Sequence, residues 1–223
     1  MKEDIKSVVI ATAKGVVSNI PIAGPLLSEY IGLAQNRIGD KRVKEWLELL
    51  ENKIAKLDCD INRLSDNELF FSALHITTEK VVKELKKEKR VYFANALYNT
   101  VQITDISEEK KLIFISLLEK YTLSSIKLLK LYSKDNNRPE DNIIHGGIMT
   151  AYINPGQEKA KRYILEYLPE FEGEIDLAQN LASQLFNDGL IEEIKFDWPE
   201  YPEQSRRKRS TKLGDEFLAF ISE

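Results

Sequence analysis

A single cysteine, Cys59, excludes an internal disulfide, and two histidines, His75 and His145, are too few and too far apart to build a zinc site. Cys59 stands between Asp58 and Asp60 with no base beside it, so nothing marks it as an activated thiol. The chain has no phosphate-binding loop, no dinucleotide glycine fingerprint, and no zincin or kinase motif. His145-Gly146-Gly147 has the form of an esterase oxyanion loop, but no Gly-x-Ser-x-Gly elbow supplies a nucleophile, and the two glycines read as a joint. These absences predict a protein that is not an enzyme and uses neither cofactor nor metal. Strong charge of one sign is also missing. A net charge of −4 and a pI near 5.5 exclude an overall field that gathers nucleic acid or anionic lipid, so any such contact must be local. Ten glycines and seven prolines in 223 residues exclude collagen and low-complexity chains. The opening residues, MKEDIKSVV, lack the basic region and cleavage site of a signal peptide, which predicts a cytoplasmic resting protein.

What is present begins with residues 5–34, more apolar than a soluble helix needs. The only charges there are Lys6, Lys14 and Glu29, and the fourteen residues from Gly15 to Ser28 carry none. A spanning helix needs roughly 18 or more apolar residues in a row, so this segment fits a buried hairpin that could enter a membrane once released. Residues 3–19 read as one helix, ended by Pro21 because the residue before a proline is pushed out of the helical region. Pro25 opens a second, to about Arg37. Gly15, Pro21, Gly24 and Pro25 would form the hinge, while Ile5, Val9, Val16, Val17, Ile20 and Leu26 would form the lipid-facing side.

Farther on the pattern is that of a helical bundle. Asp40 is an N-cap candidate for a helix carrying Val43, Trp46, Leu47, Leu50, Ile54 and Leu57 at three- and four-residue steps. Ser65-Asp66-Asn67-Glu68 has capping-box spacing ahead of Phe70, Leu74, Val81 and Leu85. His75 falls on that apolar side and is expected in or beside the core. The mixed Lys/Glu run from Glu79 to Arg90 reads as a solvated helical face. A further helix is expected from about Val91, then one from Glu108 to Tyr121 capped by Ser107, and one from Leu123 to Tyr132 capped by Thr122. The polar run from Ser133 to Asn142 reads as a linker. Residues 1–135 are thus a multi-helix bundle, 136–156 a connecting segment, and 157–223 a separate small domain.

The tail predicts helices at Gln157–Tyr167 and Ile175–Asn187, the latter stopped at Asn187-Asp188-Gly189. Leu190–Phe196 alternates like a half-buried strand, Arg206–Arg209 returns as a second, and Thr211 caps a last helix through Leu213, Phe217, Leu218 and Ile221. Leu185, Gly189, Leu190, Ile191 and Glu192, followed by Thr211, Leu213, Gly214 and Phe217, resemble the "Leu-x-x-x-Gly-Leu-Ile-Glu" and "Thr-x-Leu-Gly-x-x-Phe" signatures of bacterial winged-helix domains. The fold class this implies is mainly α, with a small winged-helix-like α+β domain at the end. Between Asp176 and Asp188 there is no Lys or Arg to read DNA, and the local basic cluster is Arg206, Arg207, Lys208 and Arg209, a candidate contact for phosphate or a protein partner.

The run Ile20-Pro21-Ile22-Ala23-Gly24-Pro25-Leu26-Leu27, followed by Arg42 and the helix bearing Trp46, resembles the start of bacterial proteins compared with the HeLo and Bell-type membrane-perturbing domains of immune effectors. That resemblance implies an abortive-infection effector of antiphage defence: cytoplasmic at rest, triggered by a phage protein, then homo-oligomeric and inserted into inner-membrane lipid as a pore. The competing expectations are a DNA-binding winged-helix regulator and a cytoplasmic interaction scaffold.

Overall fold

The computed structural model describes residues 37–54, 67–134, 161, 163–194 and 208–223. The apolar segment 5–34, Cys59, His145 and the expected joint at 136–156 lie outside them. The described chain is mainly α-helical: α1 Arg37–Ile54, α2 Glu68–Lys83, α3 Lys87–Gln102, α4 Glu108–Lys120, α5 Leu123–Tyr132, α6 Ile175–Asn187 and α7 Lys212–Ile221, with a short 3-10 turn at Pro169–Phe171. It divides into two compact units. The first contains α1 to α4 and Phe220–Glu223, and the second runs from Tyr121 to Ala219, so that α5 belongs with the tail.

In the first unit α3 packs against α1, α2 and α4. The interior is built from Trp46, Phe70, Leu74, Val81, Phe93, Leu97, Phe114, Ile115 and Leu118, all buried at helical spacing. Trp46 Nε1 donates to Thr78 Oγ1 at 3.2 Å, which satisfies the indole inside the core and ties α1 to α2. Phe114 packs against Phe220 with ring centroids 5.5 Å apart.

Three helix boundaries differ from the sequence expectation. α1 starts at Arg37, so Asp40 lies inside the helix and is not its cap. The cap of α2 is Asn67, whose side chain accepts from Phe70 N at 2.9 Å, rather than Ser65. The break between α2 and α3 falls at residues 84–86, where no glycine or proline marks it. There Glu84 Oε1 accepts from Lys86 N at 2.8 Å, and Arg90 Nη1 donates to the carbonyls of Glu84 at 3.1 Å and Leu85 at 3.3 Å. The break turns Leu85 outward, 75 % exposed, and buries Arg90 to 5 % exposure. The Glu79–Arg90 run is therefore not one solvated face, because Lys89 and Arg90 are buried at its end. His75 is exposed rather than at the core.

In the second unit α5 packs against α6. Ile126, Leu128, Leu129, Leu131 and Tyr132 are buried on one side and Ala178, Leu181, Ala182 and Leu185 on the other. Thr122 caps α5 by accepting from Ser125 N at 3.2 Å. Among the described residues there is no β-strand where a two-stranded wing is expected, only one antiparallel bridge between Ile191 and Ser210. The described part of the returning segment does not extend a ladder because its amides point elsewhere: Arg209 N and Ser210 N both donate to the Tyr132 carbonyl, at 2.8 and 3.1 Å. Residues 195–207, where most of the expected wing falls, lie outside the described chain.

Candidate functional site

The second unit presents a helix whose outer face is polar and whose position is fixed by two glycines. Gly189 follows α6 with φ +74°, a backbone state that side chains other than glycine strain to reach. The turn is closed by Gly189 N to Phe186 O at 2.8 Å and Leu190 N to Leu185 O at 2.9 Å, a left-handed helix stop. It delivers the Leu190 carbonyl to the start of α7, where Thr211 N donates to it at 3.0 Å. Thr211 Oγ1 donates to the Gly189 carbonyl at 2.6 Å and accepts from Gly214 N at 3.1 Å, so one hydroxyl caps α7 and holds the turn. A Cβ at Gly214 would come within 2.1 Å of the Leu190 oxygen, so only glycine fits. Gly189, Leu190, Thr211 and Gly214 thus each have a mechanical task in joining α6 to α7.

The same end of α6 is held by Tyr121, whose hydroxyl donates to Asp188 Oδ2 at 2.5 Å. Burial pushes the Tyr121 phenol pKa far up, and the bond to the Asp188 carboxylate adds to the shift, so the proton stays on the phenol. Tyr121 also packs edge-on against Phe217, with ring centroids 6.0 Å apart.

The exposed face of α6 is formed by Asp176, Gln179, Asn180, Ser183, Gln184 and Asn187, which line a shallow polar depression. Gln184 Nε2 donates to Asn180 Oδ1 at 2.8 Å along it. Its edges are apolar. Leu177 is 46 % exposed and Phe186 is 42 % exposed. Of Leu177, Leu181, Leu185 and Phe186 along this helix, only Leu181 and Leu185 reach the core.

Of the residues singled out from sequence, Ile5, Val9, Val16, Val17, Ile20 and Leu26 and the hinge Gly15, Pro21, Gly24 and Pro25 lie outside the described residues, as do Arg206 and Arg207. Lys208 and Arg209 are described. Lys208 Nζ stands 2.6 Å from Asp215 Oδ2 in an ion pair. Arg209 is 3 % exposed and Nη1 donates to the Glu193 carbonyl at 3.3 Å, so its guanidinium is turned inward. The features that sequence reading missed, the apolar rim of α6 and the Tyr121–Asp188 bond, join residues whose partners are set by folding. Among the described residues no three or more His, Cys, Asp or Glu side chains are grouped to hold a metal, and no helix is long and apolar enough to cross a membrane. No family model, curated protein or solved structure matches the chain.

Proposed function

We propose that the chain is a non-enzymatic effector of bacterial antiphage defence that senses a phage protein, oligomerises and permeabilises the inner membrane through residues 5–34. The observation that carries this reading is a contrast in composition. Residues 5–34 hold three charges, Lys6, Lys14 and Glu29, whereas α1, immediately after them, holds nine in eighteen residues. A segment so poor in charge beside helices so rich in it is suited to leaving water. Lys14 is costly in hydrocarbon unless it lines water, which a pore provides. In this reading the helical units serve recognition and assembly. The second of them, with a helix, a glycine stop, one antiparallel bridge and a closing helix, is a winged-helix-like module whose α6 contacts protein.

The competing reading, a DNA-binding regulator, draws on Arg206, Arg207, Lys208 and Arg209. The arrangement favours protein contact, because the exposed α6 face carries no base, Lys208 is paired with Asp215 and Arg209 is inward. The test is dye release from liposomes and depolarisation of expressing cells during phage infection. The full chain is compared with a version lacking residues 1–36, which leaves α1 whole, and with Gly15→Asp. Leakage is expected from the full chain only, with Gly15→Asp keeping its circular dichroism. A full chain that never leaks, or that instead binds duplex DNA with a steep loss at high salt, overturns the proposal.

A further inference from the structure

We infer that residues 220–223 form a displaceable strap: they fill, in cis, a groove of the first unit that docks a helix end, and a free peptide of the same sequence competes with them for it. Every residue involved belongs to the first unit and none to residues 5–34, so the strap is tested apart from the membrane reading.

Four side chains make the groove: Lys53 in the last turn of α1, Asn95 and Asn99 four positions apart on α3, and Phe114 on α4. The last carbonyls of a helix have no partner inside it, and α7 ends at Ile221. Asn95 Nδ2 donates to Ile221 O at 3.0 Å, while Asn99 Nδ2 donates to Phe220 O at 2.8 Å and to Ser222 O at 3.0 Å. Two amides thus read three successive main-chain carbonyls, which selects a helix end whatever its side chains. Side chains are read on either side. Phe220 is buried against Phe114, and Lys53 Nζ stands 2.8 Å from Glu223 Oε1. The ligand class is therefore a helix end carrying an aromatic residue and, three positions later, a carboxylate. Three features set residues 220–223 apart from a permanent part of the core. The carboxylate of the ion pair lies largely in water, with the Glu223 side chain 71 % exposed against 10 % for Lys53, so it is free to leave. Asn95 is buried, yet its Oδ1 has no donor among the described residues, so the segment fills the groove without saturating it. The segment is also joined to α4 only through the 99 residues from Tyr121 to Ala219, which makes its docking a loop closure that a competitor can match.

Hydrogen exchange on the full chain is the first arm of the test. Amides of residues 220–223 are expected to exchange through a local opening, about tenfold or more faster than the interior of α2. The second arm is fluorescence anisotropy of a labelled peptide of residues 216–223, EFLAFISE, amidated at its end so that the Glu223 side chain is the carboxylate offered to Lys53. A full-length Phe220→Ala/Glu223→Ala variant, whose own strap is weakened, is expected to bind the peptide with a Kd of about 100 µM. The parent, filled in cis, is expected to bind it about tenfold or more weakly. Adding Lys53→Met to the variant should weaken peptide binding about threefold and flatten its dependence on salt. Exchange of residues 220–223 only through global unfolding overturns the strap. So does a variant that keeps its circular dichroism but binds no peptide, and so does equal binding to parent and variant, which would put the peptide elsewhere. Where the variant fails to fold, the exchange arm alone decides.

Discussion

The two units solve the same problem, what to do with polar groups inside a helical fold, by different means. In the first, long side chains reach into the interior to meet backbone carbonyls: Lys111 Nζ donates to Thr100 O at 2.9 Å, Lys89 Nζ to Glu119 O at 3.2 Å, and Asn99 Nδ2 to the carbonyls of Phe220 at 2.8 Å and Ser222 at 3.0 Å. Arg90 adds Glu45 Oε2 at 2.5 Å to its two carbonyls. Most of these acceptors sit near helix ends, where carbonyls lack an intrahelical partner and favour a cation. In the second unit the backbone does the work, with Gly189 and Gly214 letting main-chain groups of Leu190 and Thr211 meet directly. Side-chain solutions degrade by degrees, whereas backbone solutions at glycine fail at once.

That contrast can be broken first at Gly214. Gly214→Ala drives a Cβ onto the Leu190 carbonyl, and no side-chain rotation relieves a clash with backbone, so a loss of about 3 kcal/mol or more is expected. Hydrogen exchange should place the lost protection in peptides covering α6 and α7. Next comes Arg90→Met, which keeps the apolar stem but leaves the Glu84 and Leu85 carbonyls and the Glu45 carboxylate without this donor. A loss of about 2 kcal/mol is expected from urea unfolding, with protection lost around residues 84–86. Little or no change in either measurement would remove Arg90 as the cause of the helix break.

The smallest effect sharpens the comparison through pH. Tyr121→Phe deletes one hydrogen bond and should cost about 1 kcal/mol near neutrality. Because burial and Asp188 raise the Tyr121 pKa in the fold, the folded chain keeps a proton that the unfolded chain loses near the ordinary tyrosine value of about 10. The contribution is therefore fully present below about pH 10 and falls away as pH rises beyond it. Stability of the parent should drop more steeply above that pH than stability of Tyr121→Phe, and parallel curves would show that Tyr121 does not carry this dependence.

Legibility followed the same division. α5, α6 and α7 were readable because Thr122, Gly189 and Thr211 are local signals whose chemistry acts within a few residues. The break at residues 84–86 was not, since the residues that make it, Glu84 and Arg90, look in sequence like an ordinary charged helix. Asp40 failed as a cap because α1 is already helical before it, although the residue type is a common N-cap. Of the expected wing, the described residues hold only the Ile191–Ser210 bridge, and most of its length lies outside them. Alternation from Leu190 to Phe196 gives a strand-like pattern, but the amides of Arg209 and Ser210 have a nearer acceptor in the Tyr132 carbonyl. Of the candidate site, the polar face of α6 was legible from its composition. The exposure of Leu177 and Phe186 was not, because both are apolar residues on an apolar-patterned helix and only packing decides which of them is covered.

Residues 220–223 belong to the first unit, yet follow the whole of the second in the chain. Synthesis runs from one end, and domains ordinarily fold as they emerge. Here the ring of Phe220 that meets Phe114, and the carbonyls that meet Asn95 and Asn99, leave the ribosome only after every residue of the second unit. The nascent first unit must wait through nearly a hundred residues of translation for its last packing partner, 99 of them from Tyr121 to Ala219. The order of completion in the cell is thus reversed from the order of sequence: the second unit has all its residues first, and the first is finished last.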